Sequence, residues 1–214
     1  NNKGLGSYRY RVTFKGPGGH SWGAFGLANP HHALGEAISN FVAAADVYTA
    51  EGPKTSYNVG VISGGTSINS IPFESIMEID IRSIEPSRLD AMESLLQEAV
   101  NKARAHQNGI KRRGPDLMAV LDKIGNRPSG ELADDLPLIQ RSLAATTFFG
   151  EKPFLTRGST DSNIPIAKGV PAITIGRGGK GGKAHSLDEW WLNDEGYKAI
   201  QLAMLILLSE AGMR

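Results

Sequence analysis

The chain has 214 residues, of which 40% are hydrophobic and 21% are charged, so it can bury a core and is expected to form one large domain or two small ones. Its 23 Lys and Arg residues nearly balance 22 Asp and Glu residues, and the net charge of +1 gives no long-range field that would recruit nucleic acid or an acidic membrane. The absence of cysteine excludes disulfides, thiol nucleophiles and cysteine-based zinc sites.

The first part of the chain predicts six elements in the order β-α-β-β-α-β. Its first strand has apolar residues at every second position, which is typical of a strand with one solvent-exposed face. An Asn-Pro pair predicts the start of the first helix, and both helices carry an apolar stripe at helical spacing. The predicted elements are a strand at Tyr8–Phe14, a helix from Asn29 to about Tyr48, strands at Tyr57–Ile62 and Ser75–Arg82, a helix from Pro86 to about Asn108, and a strand at Leu117–Leu121. This order predicts an α+β ferredoxin-like sandwich with both helices on one face of the sheet.

The segment Asn126–Gly130 has the composition of a boundary, and the residues after it predict an α/β arrangement. The expected elements there are a helix at Leu136–Phe149, a short strand at Pro153–Thr156, a buried strand at Gly169–Gly176, and a last helix capped by Asn193 with Ile200, Met204, Leu207 and Leu208 on its core side. Because this part has few strands, we interpret it as the back half of a larger doubly wound sheet.

Two clusters with possible chemistry fall in loops of the first part. In Gly18-Gly19-His20-Ser21-Trp22-Gly23, His20 is the side chain that could donate to a substrate or titrate near neutral pH. The segment Gly64–Pro72 places Asn69 in a loop between two predicted strands, where it either contacts a ligand or turns the chain. A flexible turn with an exposed histidine and an ordinary hairpin loop explain the same residues.

Two further clusters fall in the second part. The segment Arg157–Asn163 joins a predicted strand to a helix, and its backbone amides and hydroxyls beside Arg157 could hold a carboxylate or an oxyanion, although a plain N-cap explains it equally well. The glycine-rich segment Gly181–Glu189 places His185 next to acidic residues, just past the carboxyl end of a predicted strand. A lone histidine is more often structural than a metal ligand. The remaining histidines, which lie on helices or their edges and are given no functional role, are His31, His32 and His106.

Taken together and in this order, the four clusters resemble a zinc-dependent hydrolase family that includes peptidase T, glutamate carboxypeptidase, aminoacylase and succinyl-diaminopimelate desuccinylase (peptidase family M20). The matching motifs are Gly-Gly-His-Ser, Gly-Gly-Thr-Ser-Ile-Asn-Ser-Ile-Pro ahead of Ile-Asp-Ile-Arg, Arg-Gly-Ser-Thr-Asp, and Ala-His-Ser-Leu-Asp-Glu. The resemblance spans nearly the whole chain. It implies a ferredoxin-like dimerisation domain, or lid, at residues 1–125, and the C-terminal portion of an α/β metallohydrolase catalytic domain at residues 126–214, with the N-terminal portion of that domain absent.

The same resemblance implies roles for individual residues. His20 matches a lid histidine that acts in trans, in the active site of the partner subunit, by polarising the scissile carbonyl or stabilising the oxyanion. His185 matches a metal-ligand histidine. The positions that match substrate-contacting residues are Asn69, Arg82, Arg157, Gly158 and Ser159. For Arg82 a plain charge on the solvent-exposed face of its strand, beside acidic residues, is the alternative interpretation.

The implied activity is that of a metallopeptidase or amidohydrolase, which cleaves an amide bond in a small peptide or an N-acyl amino acid and works as a homodimer. One or two Zn²⁺ ions are the implied cofactors, and a site made of histidine and carboxylate ligands also accepts Mn²⁺ or Co²⁺. The family takes its other ligands and its Glu general base from a first half that this sequence does not contain, so we expect the chain to be a fragment that is inactive by itself. The substrate stays open among dipeptides, tripeptides, C-terminal residues and acyl amino acids.

Other functional classes fit parts of the same sequence. A non-catalytic ferredoxin-like module for dimerisation or ligand sensing is the main alternative, because such domains serve many functions. RNA binding through the sheet ranks last, because Arg9 and Arg11 are basic whereas Glu78 and Asp80 on the same face are acidic. We therefore expect no nucleic-acid partner.

Compartment and membrane association follow from composition. No apolar run approaches the roughly 20 residues that cross a bilayer, so no membrane partner is expected. The lack of cysteine fits a cytoplasmic protein. The chain begins Asn-Asn-Lys without an initiator methionine, so the natural N-terminus is not visible.

Overall fold

The structure is a computed structural model that describes residues 1–212; Met213 and Arg214, at the end of the predicted second domain, lie outside the described residues. The strands within the described residues are β1 (Lys3–Gly4), β2 (Gly6–Lys15), β3 (Gly19–His20), β4 (Thr55–Gly64), β5 (Ser70–Ile71), β6 (Glu74–Ser83), β7 (Met118–Arg127), β8 (Gly130–Glu131), β9 (Arg157–Gly158), β10 (Lys180–Gly182) and β11 (Trp190–Leu192). The helices are α1 (Pro30–Thr49), α2 (Pro86–Ile110), α3 (Pro137–Phe148), α4 (Asn163–Ala167) and α5 (Tyr197–Ala211). The chain divides into two compact units, Leu5–Ser129 and Asn1–Gly4 together with the residues from Gly130 onward.

The unit Leu5–Ser129 is built on a four-stranded antiparallel sheet with the strand order β4-β6-β2-β7. Its long elements follow one another as strand, helix, strand, strand, helix, strand. Both helices cover the same face of the sheet, because their buried residues join the inward side chains of β2 and β6 in one core. That core includes Tyr10, Val12, Phe14, Phe41, Met77, Ile79, Ile81, Leu89, Met92 and Leu96.

Helix α1 begins where the sequence predicts it. The Asn29 side chain accepts hydrogen bonds from the backbone N–H groups of His31 and His32, and Pro30 occupies the first turn, where its missing N–H is not needed. Alanine and phenylalanine then recur on the buried face, and Phe41 is fully buried. Local capping and helical spacing therefore account for this element.

The opposite face of the sheet carries ion pairs between neighbouring strands. Arg9 on β2 binds Asp80 on β6 at 2.9 Å, and Arg11 binds Glu78 at 2.7 Å. Successive side chains of a strand point to opposite faces of the sheet, so every second residue of β2 and β6 reaches the solvent-exposed face. The charged residues at these positions lie next to one another on neighbouring strands and pair there.

The strands of the other unit are all short, as far as residue 212. Its sheets are the three-stranded β8-β1-β9 and the hairpin β10-β11, and helices α3 and α5 pack on each other beside a small core of Leu132, Ile139 and Ile166. Residues 169–176 and 153–156, both predicted to be strands, are irregular. They make isolated backbone bonds to the first residues of the chain, from Asn2 N to Thr156 O and from Thr174 N to Asn1 O, and no continuous partner strand among the described residues completes a ladder.

The prediction for the last helix is wrong in two respects. Helix α5 starts after Gly196 and not at Asn193, and its apolar stripe faces outward, with Ile200 74% and Met204 60% exposed. Ile206 is the buried residue of this helix. None of the helices in residues 1–212 has the length and apolar character needed to cross a membrane.

Candidate functional site

Two predicted site residues of the unit Leu5–Ser129 meet in one small ribbon. Strand β3 pairs with β5 so that His20 lies opposite Ser70, and the backbone N–H of Ser21 donates to the carbonyl of Asn69 at 2.8 Å. Gly64 has a φ of +122°, and a Cβ on it would lie 2.5 Å from the carbonyl oxygen of Glu74. Glycine is therefore required where the loop that carries Asn69 leaves β4.

The imidazole of His20 is held through one nitrogen. Its Nδ1 accepts hydrogen bonds from the backbone N–H groups of Trp22 at 3.2 Å and Gly23 at 3.3 Å. Because Nδ1 is an acceptor, the neutral ring carries its proton on Nε2. The side chain is exposed, so this Nε2–H group is free to donate to a bound molecule.

Asn69 is arranged in a complementary way. Its Oδ1 accepts a hydrogen bond from the Ser67 hydroxyl at 2.8 Å, and that hydroxyl also lies 2.8 Å from the Ser70 hydroxyl. The amide NH₂ of Asn69 is left as a donor on the surface. The ribbon therefore presents two neutral N–H donors, and such donors stabilise an oxygen on which negative charge develops.

The structure does not bring Arg82 to this ribbon. In the pairing of β2 with β6, Arg82 lies opposite Ser7, whereas His20 follows the other end of β2. Arg82 lies eight residues along β6 from Glu74, which pairs with the last residue of β2, and this separation is roughly 26 Å at a rise of about 3.3 Å per residue. The Arg82 Nε donates to Asp80 at 2.6 Å. Burial alone would raise the pKa of Asp80, but hydrogen bonds from Arg82 and Arg9 outweigh it and hold this pKa below its usual value.

The predicted substrate residues of the other unit lie on a short strand or directly after it. Arg157 and Gly158 form β9, which pairs in parallel with β1, and Ser159 follows directly. The Arg157 guanidinium donates to the carbonyl of Gly4 at 3.2 Å and to Glu131 at 2.7 Å. Hydrogen bonds from Lys3 and then Arg157 hold the pKa of Glu131 below its usual value. The guanidinium is thus already bonded to a carboxylate, the group that a substrate would offer it.

His185 lies in the loop of the β10–β11 hairpin. Its φ of +65° is unusual for a residue with a side chain, its backbone N–H donates to Glu189 at 3.2 Å, and its imidazole is exposed. No group of three or more His, Cys, Asp or Glu residues in residues 1–212 is placed to hold a metal ion. A structural or catalytic zinc site takes three or four protein ligands, so the described residues do not fit one by themselves.

Two features of the structure are absent from the sequence prediction. The first is the pair of N–H groups that bond to His20, from Trp22 and Gly23; their closeness to His20 in the sequence could have indicated them.

The second is a cavity of about 860 Å³ that is lined in part by Thr156, Thr174 and Lys198. The Thr174 hydroxyl lies within 2.7 Å of Thr160 and 2.9 Å of Ser162. No sequence signal joins Thr174 to the other two hydroxyls. The predicted substrate residues of β9 do not line this cavity.

Comparison with known proteins gives one family match and one match to a curated protein. Residues 2–108, half of the chain, match the peptidase dimerisation domain M20_dimer. A ureidoglycolate hydrolase of Arabidopsis thaliana is 27% identical over 143 residues, which are 64% of this chain and 30% of that protein.

Solved structures share the fold. The crystal structure of AtUAH in complex with (S)-hydroxyglycine has a TM-score of 0.72 and 21% identity, covering 98% of this chain and 48% of that one. A tripeptidase from Staphylococcus aureus has a TM-score of 0.68 and 15% identity, covering 98% of this chain and 52% of that one. The aminopeptidase PepT from Bacillus cereus has a TM-score of 0.65 and 17% identity, covering 99% of this chain and 53% of that one. This chain spans about half the length of these structures and less than a third of the curated relative.

Proposed function

This chain belongs to the M20 peptidase family, and from that premise we propose that it is part of a homodimeric hydrolase that cleaves an amide C–N bond in a small substrate. Its mixed α/β structure with several sheets fits the dimerisation domain of the family. The relatives are named as a ureidoglycolate hydrolase, a tripeptidase and an aminopeptidase. The observation that carries the proposal is the pair of N–H donors, from His20 and Asn69, on one ribbon.

The proposal assigns a role to each unit. Leu5–Ser129 would be a ferredoxin-like lid, which the strand order β4-β6-β2-β7 and the two helices on one face support. The unit that contains Gly130 onward would be the C-terminal portion of an α/β catalytic domain. The exposed apolar stripe of α5 supports this assignment, because further residues of such a domain would cover Ile200 and Met204.

The chemistry assigned to His20 and Asn69 is stabilisation of the carbonyl oxygen. When a nucleophile adds to an amide carbonyl, negative charge develops on the oxygen, and the Nε2–H of His20 and the amide of Asn69 would donate to it. His20 is proposed to act in the active site of the partner subunit. Neither group has to change its protonation state, because both donate as neutral groups.

Substrate orientation is assigned to the two arginines and to the strand β9. A substrate carboxylate would have to replace Asp80 on Arg82, or Glu131 on Arg157, because each guanidinium already binds that carboxylate. Gly158 and Ser159 would contact the substrate beside Arg157. Bidentate recognition of a carboxylate by arginine is the chemical reason for this assignment.

Zn²⁺ is the proposed metal, with Mn²⁺ or Co²⁺ as alternatives, and His185 is proposed as one of its ligands. The described residues place no second and third ligand beside it. We therefore propose that this chain alone does not hydrolyse amides, and that the complete site includes further ligands.

The test uses the natural protein that carries this chain, beside the chain of residues 1–214 alone. The natural protein, stripped of metal and reloaded with zinc, manganese or cobalt, is assayed on a dipeptide, a tripeptide, an N-acetyl amino acid and a ureido acid. Analytical ultracentrifugation gives the oligomeric state. We expect a dimer that hydrolyses at least one of these substrates, and no hydrolysis by residues 1–214. A folded, metal-loaded dimer without hydrolysis would contradict the enzyme proposal and favour a non-catalytic dimerisation or ligand-sensing module.

A further inference from the structure

The turn that follows His20 is hydrogen-bonded to the segment that follows helix α2. The backbone N–H groups of Arg112 and Arg113 both donate to the carbonyl of Gly26, at 2.7 and 3.3 Å. The guanidinium of Arg113 donates to the carbonyl of Gly23 at 2.5 Å. Three hydrogen bonds thus join two segments that are remote in the sequence.

Close packing accompanies these hydrogen bonds. The Arg112 guanidinium lies 4.9 Å from the centre of the Phe25 ring. A Cβ on Gly26, which has a φ of +97°, would lie 2.9 Å from the Cβ of Arg112. The turn and the segment after α2 therefore approach as closely as a glycine allows.

Gly23 connects this contact to the imidazole. Its N–H donates to His20 Nδ1 at 3.3 Å, and its carbonyl accepts from Arg113. The orientation of the N–H depends on the backbone dihedral angles of the turn, and a bond to the carbonyl of the same residue restrains them. Trp22, whose N–H is the second donor to Nδ1, precedes Gly23 in the same turn.

We propose that Arg113 is a positioning residue for His20: by holding the Gly23 carbonyl it keeps two backbone N–H groups directed at Nδ1 and so selects the Nε2–H tautomer. Arg113 acts through the turn and need not touch a substrate. The catalytic meaning of this positioning rests on the proposed function of His20, whereas the tautomer itself is a property of this chain.

The experiment measures the tautomer by NMR. Residues 1–214 labelled with ¹⁵N are examined at an alkaline pH, where imidazoles in general are neutral, and long-range ¹H–¹⁵N correlations report which ring nitrogen of His20 carries the proton. In the unmodified chain we expect Nε2 to be protonated. In Arg113→Ala the ratio of the Nε2–H to the Nδ1–H tautomer should fall roughly fivefold, the size expected for losing one hydrogen bond.

Two variants separate positioning from a general effect. Arg113→Lys should keep the ratio within about twofold of the unmodified chain, because one N–H donor is enough for a carbonyl. Arg104→Ala removes an exposed arginine of helix α2, nine residues before Arg113, and should leave the ratio unchanged. Arg113 is exposed, so its variants are expected to fold; should Arg113→Ala not fold, Arg113→Met, which also lacks a side-chain N–H donor, is measured in its place.

Three results would overturn the proposal. These are a protonated Nδ1 in the unmodified chain, an unchanged ratio in the folded Arg113→Ala or Arg113→Met variant, and an equal fall in Arg104→Ala. No activity is measured in this experiment. A failure of the hydrolase proposal would therefore leave the positioning result standing, and the reverse also holds.

Discussion

His20 ends strand β3 and Asn69 directly precedes its partner strand β5, and the hydrogen bond from Ser21 N to Asn69 O at 2.8 Å continues the pairing of this two-stranded ribbon. The two residues come from different parts of the chain: His20 ends β3, which follows β2, and Asn69 lies in the segment that follows β4. Their approach depends on the β3–β5 pairing and on the left-handed backbone of Gly64. The pair of surface N–H donors is thus a product of the tertiary structure, and the predictions below begin with its chemistry.

Replacement of His20 by alanine should lower the kcat of the natural protein by about 10²-fold or more, the range for losing an oxyanion donor. The metal content, measured by mass spectrometry of the purified variant, should stay unchanged. The matched control is His32→Ala, an exposed histidine at the start of α1 whose backbone N–H, retained in alanine, supplies its contact to Asn29. Equal losses in the two variants would contradict a specific role for His20.

A mixture of two inactive variants tests the assignment of His20 to the partner subunit. His185→Ala should lose metal, whereas His20→Ala should keep it. A heterodimer of the two variants retains one site with an intact His185 and a His20 from the partner. Random pairing makes half of the dimers mixed, each with one good site of two, so recovery of up to about a quarter of the unmodified activity is expected.

The outcome of this mixing depends on subunit exchange, which is followed with differently tagged subunits. No recovery after demonstrated exchange would mean that both histidines serve the same subunit. The single variants, each exchanged with itself, provide the baseline.

The ion pairs of Asp80 predict an acid-dependent loss of stability. Because hydrogen bonds from Arg82 and Arg9 lower the pKa of Asp80 in the folded chain, this carboxylate stabilises the fold above its unfolded pKa of about 3.9, and the contribution is lost as the pH falls through the lower folded pKa. Asp80→Asn should therefore cost about 1 kcal/mol of unfolding free energy near neutral pH and less in acid.

Urea unfolding of residues 1–214 measures this difference across the acid range. The control is Asp122→Asn, an exposed aspartate on β7 of the same sheet, whose replacement should change the stability little at any pH. A cost for Asp80→Asn that is the same in acid as at neutral pH would argue against the ion-pair explanation.

Helix α1 offers a matched pair of core and surface residues. Phe41 is fully buried against the sheet, with its ring 5.2 Å from that of Tyr57, whereas Val47 on the same helix is 77% exposed. Phe41→Ala should lower the free energy of unfolding by about 3–5 kcal/mol, because it removes buried apolar surface and leaves a cavity. Val47→Ala should change it by less than about 0.5 kcal/mol. Denaturant unfolding followed by circular dichroism measures both, and similar costs would show that the helix does not pack as described.

Many elements of the unit Leu5–Ser129 could be predicted from the sequence, because local interactions determine them. Asn29 and Pro30 start α1 through capping, and the period of two in β2 separates a buried face from a charged one. These signals depend on hydrogen bonds and spacings within a few residues, so no distant partner is needed to interpret them. The same holds for the individual motifs around His20 and Asn69, whose order along the chain matched a known family.

The features that only the tertiary structure decided depend on contacts between residues that are remote in the sequence. The pairing of β3 with β5 joins His20 to Asn69 and leaves Arg82 at the other end of the sheet. Residues 169–176 have the apolar sequence of a buried strand yet remain irregular, and α5 exposes its apolar stripe. An apolar pattern indicates only that a segment can be buried. A strand also needs a neighbouring strand for its backbone hydrogen bonds, and the apolar face of a helix needs a surface that covers it. Long-range contacts supply both.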